Sequence, residues 1–180
     1  MSKKEEIDQP LLQIKVMTER VTKVHAEILV LGIFQDVRPL KGLAGEVDWI
    51  YNGIISHLIL REKIFGRVGE ATLLATQRKL PTPKILIMGL GKREKFTDTT
   101  FQEICEIALN TISQLQTKQC AMELFDLTHC ALDSAKSIET FIRVMKPMTV
   151  QEGLELSLLV RDENKARQIQ QRLSGAWGSA

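Results

Sequence analysis

The chain predicts an α/β protein: a three-layer α/β/α sandwich around a mixed, largely parallel sheet. Three observations carry that expectation. Two short apolar runs rich in branched residues, AEILVLGIFQ and KILIMGL, have the length and composition of strands covered on both faces. Other segments place apolar residues at helical spacing, as Phe101, Ile104, Ala108 and Ile112 do. After two leading strands, helices and strands alternate, an order that produces parallel crossovers.

Taken in order, a polar tail over residues 1–10 precedes a domain over 11–173. Leu12, Ile14 and Val16 alternate with Gln13 and Lys15 as a half-buried strand does. The run 26–35 is the second strand, and DVRPLKGLAG, with its Gly and Pro residues, reads as a loop. Asp48 is placed to cap a helix WIYNGIISHLILRE, whose rows Ile50, Ile54, Leu58 and Tyr51, Ile55, Ile59 give a broad apolar face against a sheet.

Gly66 and Gly69 punctuate the exit from that helix, ATLLAT is the third strand, and Pro81-Thr82-Pro83 turns the chain into the fourth. The next helix opens near Thr97 to Thr100, where Thr100 and Glu103 have capping-box spacing. CAMELFDL is a fifth strand, SAKSIETFIRVM a helix ended by Pro147, and GLELSLLVR a sixth strand. Glu163 to Leu173 closes the domain as a helix, and 174–180 is read as a flexible tail.

Composition limits the function. With 180 residues, 44% hydrophobic and 26% charged, the chain has the makeup of one soluble globular domain. No apolar run approaches the roughly 20 residues of a membrane helix. Cys105, Cys120 and Cys130 are three widely spaced cysteines without a Cys-x-x-Cys pair, which suits reduced thiols in a cytoplasm. The net charge of +2 gives no general drive toward nucleic acid, but Arg61 to Lys95 holds nine bases against three acids, a local +6. Arg78, Lys79, Lys84, Arg93 and Lys95 in this stretch are a candidate basic surface.

The stretch ILIMGLGKREKFT runs a strand into a Gly-x-Gly-Lys turn, which makes Gly89, Gly91 and Lys92 candidates for holding a phosphate. Glu94 stands where a dinucleotide fingerprint needs its third glycine, and Arg93 follows Lys92 where a P-loop needs Ser or Thr. His25, His57 and His129 are isolated, and Ser56 beside His57 on one helix points away from it by about 100°. Glu103 and Glu106 are a solvated helix flank. No catalytic residue, metal ligand or cofactor is expected from these patterns.

Two segments, taken together, resemble the N-terminal domain of the leucine aminopeptidase (cytosol aminopeptidase) family. The first is DWIYNGIISHLILREKIFGRVGEATLL, with Asp48, Gly53, Ser56, Leu58, Ile59, Phe65, Gly66, Gly69, Glu70, Leu73 and Leu74 at the family's spacing. The second is ILIMGLGKREKFT, similar to the family's strand, Gly-Leu-Gly-Lys turn and Thr before a helix. The resemblance implies a macro-domain-like fold and places the family's two-metal chemistry in a separate C-terminal domain, whose Asn-Thr-Asp-Ala-Glu-Gly-Arg motif this chain lacks.

What the resemblance implies is therefore a non-catalytic accessory domain, free-standing or cut from a longer enzyme, with self-association or an aminopeptidase subunit as partner. The alternatives are a macro-type module binding ADP-ribose or another nucleotide, and a DNA-binding accessory domain.

Overall fold

A computed structural model describes residues 12–124, 134–145 and 153–177. The strands are β1 (Leu12–Met17), β2 (Ile28–Ile33), β3 (Ala71–Ala75), β4 (Lys84–Gly89), β5 (Gln119–Glu123) and β6 (Leu154–Leu159). The helices are α1 (Gly42–Ile50), α2 (Ile54–Leu60), α3 (Asp98–Gln114), α4 (Ser134–Met145) and α5 (Glu163–Trp177). The strands make one sheet in the order β1-β6-β5-β2-β4-β3. All pairings are parallel except β3 with β4.

The layers follow from the alternation of side chains along each strand. Ile28, Val30, Leu86, Met88, Cys120, Met122, Leu156 and Leu158 point to one face, where α3, α4 and α5 cover them with Phe101, Ile104, Phe141, Ile142 and Ile169. Leu29, Leu31, Ile33, Ile85 and Ile87 point to the other, against Leu43, Ala44 and Val47 of α1 and Ile55 of α2. Burying each such side chain contributes about 1.5–3 kcal/mol, so the unbroken apolar runs of β2 and β4 are what a strand buried on both faces requires.

The helix expected over residues 49–62 is instead two. α1 begins inside the segment read as loop, and Asn52 and Gly53, at φ 54° and 81°, break the helix before α2. An Asn-Gly pair reaches the left-handed region more readily than other residues, which is how helices commonly end. Asp48 accordingly lies late in α1 and caps α2 across the break. The expected apolar face is also narrower: Ile55 is fully buried, while Ile54 is exposed.

Thr97, not Thr100, caps α3, its hydroxyl accepting from the Thr100 N–H at 3.3 Å. The closing helix runs on to Trp177, through part of the segment read as a flexible tail. The tail over 1–10, the end of CAMELFDL, His129, Cys130 and Pro147 lie outside the described residues.

Candidate functional site

β4 ends at Gly89, and the turn Gly89-Leu90-Gly91 is held from both sides by backbone. The Gly89 N–H donates to Glu70 O at 2.7 Å, that of Leu90 to Ile33 O at 2.9 Å and that of Gly91 to Gly66 O at 2.8 Å. A phosphate cradle needs such groups unpaired; here all three are engaged within the chain. The glycines answer to close packing. A Cβ on Gly89 would overlap the Arg67 carbonyl oxygen, and one on Gly91, at φ +77°, would come within 2.5 Å of Val68 Cγ2. A short 3₁₀ turn, Arg93–Lys95, then separates the glycines from α3. Among the expected ligand groups, the Lys92 ammonium is left exposed beyond the turn.

The opposing loop is fixed by an internal carboxylate. Glu70 Oε2 accepts from the N–H groups of Phe65 at 3.0 Å, Gly66 at 2.6 Å and Arg67 at 3.1 Å. A carboxylate so placed is a strong acceptor, and it sets the loop against which the glycine turn packs. The Arg67 guanidinium in turn stacks over the Phe65 ring at 4.2 Å.

A cleft of about 650 Å³ opens at the carboxyl ends of β1, β5 and β6 beside the start of α1, lined by Thr18, Glu19, Arg20, Lys41, Glu123 and Arg161 among others. Ligands in open α/β sheets commonly lie at this edge. Three of its charged side chains, Glu46, Glu123 and Arg161, are engaged within the chain. Glu123 Oε2 accepts the Leu43 N–H at 3.0 Å, which puts a carboxylate on the first turn of α1. Arg161 Nη2 meets Glu46 Oε2 at 2.6 Å, and Arg161 Nε lies 3.9 Å from Glu123 Oε1. Sequence reasoning did not single out Glu46, Glu123 or Arg161, which stand far apart in the chain with no motif between them.

The basic residues of the +6 segment do not share one face. Arg78, Lys79 and Lys84 sit at the start of β4, where Lys79 lies 5.4 Å above the Tyr51 ring. Arg67, Lys92, Arg93 and Lys95 sit past its end, and the Arg93 N–H donates to Asp36 at 3.0 Å. Five rises of about 3.3 Å along the strand hold the two groups roughly 17 Å apart.

Glu103 and Glu106 are exposed on α3, and His25 and His57 are exposed and separate. Burial pushes the Cys105 and Cys120 thiols well above the ordinary range and keeps them protonated. Among the described residues no three His, Cys, Asp or Glu side chains converge as a metal centre would need. None of the described helices is long and apolar enough to cross a membrane.

Large apolar side chains stand in solvent on the outer helices. Trp49 is 83% and Leu60 78% exposed, and Trp49 borders a cleft of about 510 Å³ with Pro39, Leu40 and Ile50.

Residues 30–146 match the family model described as "Cytosol aminopeptidase family, N-terminal domain". A probable cytosol aminopeptidase of Alkaliphilus metalliredigens is 29% identical over 93 residues, which are 52% of this chain and 19% of that protein. The chain thus spans about a fifth of the length of the curated relatives it matches. Among solved structures, a tomato leucine aminopeptidase mutant superposes with a TM-score of 0.62 at 17% identity, over 94% of this chain and 38% of that one. A macrodomain of Oceanobacillus iheyensis gives a TM-score of 0.73 at 12% identity, over 91% of both chains.

Proposed function

Because the chain belongs to the cytosol aminopeptidase family, matching its N-terminal domain, we propose that it acts as a non-catalytic accessory module that associates with copies of itself or with an aminopeptidase subunit. The observation that carries this reading is the contrast between its two kinds of surface. At the carboxyl edge of the sheet, Glu123, Arg161, Glu46 and Glu70 are engaged with one another or with backbone N–H groups. On the outer helices, Trp49 and Leu60 face water with nothing across from them among the described residues. Contiguous exposed apolar surface marks contact sites, and Trp49 and Leu60 are the side chains such a surface would be built on.

Solution mass by light scattering over a range of concentrations, alone and mixed with a purified aminopeptidase subunit, tests the proposal. A defined oligomer or mixed complex is expected. A monomer throughout, with hydrolysis of leucine-p-nitroanilide in the presence of manganese, would replace it with an enzymatic reading.

A second reading, a nucleotide such as ADP-ribose, is supported by the macro-domain fold and by the cleft of about 650 Å³, a size in the range of small-molecule sites. It places the ligand in that cleft beside α1. An anionic ligand there has to displace the Glu123 carboxylate from the Leu43 N–H. Calorimetry with ADP-ribose on the parent chain and on Glu123→Ala reads this directly: binding strengthened by the substitution supports it, and no heat from either chain removes it. DNA binding has less behind it, since the cations of the basic segment divide between the two ends of β4.

A further inference from the structure

The sheet has two edges, and they differ. β1 carries the exposed Lys15 in mid-strand and is packed by α5. β3 carries no charge from Ala71 to Ala75, no proline and no bulge against β4. Proteins usually blunt an edge strand with exactly such devices, because its unpaired backbone recruits another strand. Leaving β3 without them is a feature to be explained.

The register shows which groups are open. β3 pairs with β4 so that Ala71 meets Met88 and Ala75 meets Lys84. Just beyond the strand, the Gly89 N–H donates to Glu70 O and the Thr76 N–H to Pro83 O. Hydrogen-bonded and non-bonded pairs alternate along an antiparallel ladder, so Thr72 and Leu74 bond to β4 while Ala71, Leu73 and Ala75 turn their N–H and C=O groups outward. The same three residues are exposed, Leu73 at 45%. Among the described residues, the edge therefore offers three donor and acceptor pairs over an apolar strip.

Charge says what fits there. Arg67 precedes the strand, and Arg78, Lys79 and Lys84 gather at its far end, all exposed. The acid between them, Glu70, is committed to three backbone N–H groups. A second copy fits poorly: two-fold antiparallel pairing about Leu73 brings the strand end that follows Arg67 in one chain beside the end that carries Arg78, Lys79 and Lys84 in the other, and sets like charges together. We infer that the β3 edge accepts an extended segment of another polypeptide as a seventh strand, a segment uncharged and apolar at its centre and acidic at its ends. This recognition by strand addition deepens the accessory-module proposal by naming a surface and the chemistry of its partner.

Fluorescence anisotropy of the full chain with three labelled octapeptides tests it: a Val/Thr centre with Glu at both ends, the same centre with Lys at both ends, and the Glu-ended peptide with its central amides N-methylated. The Glu-ended peptide is expected to bind, weakening as salt rises, with the other two at least tenfold weaker. Leu73→Lys and Ala75→Lys are expected to weaken it similarly while the melting temperature holds. Equal binding of the Glu- and Lys-ended peptides, or none of the Glu-ended one at millimolar concentration, overturns the inference. So does a concentration-dependent doubling of mass abolished by Leu73→Lys, which assigns the edge to a second copy. Peptide binding by a chain that associates with neither itself nor an aminopeptidase subunit would retain this inference and remove the accessory-module proposal.

Discussion

Asp48 on α1 holds Ser56 on α2: Oδ2 accepts the Ser56 hydroxyl at 2.5 Å, while Oδ1 accepts the N–H groups of Ile55 and Ser56 at 2.8 and 3.0 Å. One carboxylate thus satisfies the start of a seven-residue helix whose preceding Gly53 makes no side-chain cap. A short helix depends heavily on such a cap, because its own hydrogen bonds are few. Asp48→Ala is expected to cost about 1–3 kcal/mol, and Ser56→Ala about 1 kcal/mol. Urea unfolding measures both. A midpoint for Asp48→Ala equal to the parent's would show that α2 is held by its packing alone.

The glycines separate by what surrounds them, which makes a series of alanine substitutions informative. Gly53→Ala meets open space at φ +81°, so it is expected to cost only the left-handed strain, about 1–2 kcal/mol. Gly91→Ala adds a collision with Val68 to similar strain, and Gly89→Ala collides with the backbone of Gly66 and Arg67; both are expected to lose more than Gly53→Ala. Gly175→Ala, in α5 with nothing within 4 Å, is expected to stabilise by about 0.5–1 kcal/mol. The same ranking by thermal melting and by urea would tie the Gly-Leu-Gly-Lys turn to packing. Equal effects at Gly53 and Gly91 would argue against it.

The order of elements was legible because strands buried on both faces have an unmistakable composition, and β2 and β4 show it. The glycine turn shows the limit of such reading. Its spacing invites a phosphate, yet its N–H groups and its close packing are set by Ile33 and the loop around Gly66 to Glu70, remote in sequence and adjacent in space. The break between α1 and α2 was present as Asn52-Gly53, but the apolar rows on either side continue a helical pattern across it, and periodicity hid the pair. The cleft pairings of Glu46, Glu123 and Arg161 carry no local signal at all. They depend on β5 and β6 ending side by side at the start of α1.

Tyr51 provides a pH test that reads one group. It is the chain's one tyrosine, its hydroxyl donates to Thr76 O at 2.6 Å, and burial raises its pKa above the ordinary tyrosine value of about 10, against smaller lowering influences of Thr76 and Leu80. A folded pKa above the unfolded one gives stability that is complete below about pH 10 and is lost as pH climbs through the folded value. Absorbance titration near 295 nm is expected to show a midpoint above that of tyrosine in the urea-unfolded chain. Tyr51→Phe is expected to flatten the fall in melting temperature above pH 10. A native midpoint at or below the unfolded one would reverse the sign.

Trp49 and Leu60 distinguish a contact surface from incidental exposure. Each is more than three-quarters in solvent, so replacing them costs the isolated fold little: Trp49→Ser with Leu60→Ser is expected to change unfolding free energy by about 0.5 kcal/mol or less. If these side chains are covered on association, the same double variant is expected to shift the mass by light scattering toward monomer at concentrations where the parent is assembled. Fluorescence supplies an independent readout. In a Trp177→Phe background, which leaves Trp49 as the single indole, acrylamide is expected to quench more strongly as the protein is diluted and the surface uncovered. Quenching independent of concentration, together with a mass unchanged in the double variant, would move the contact away from α1 and α2.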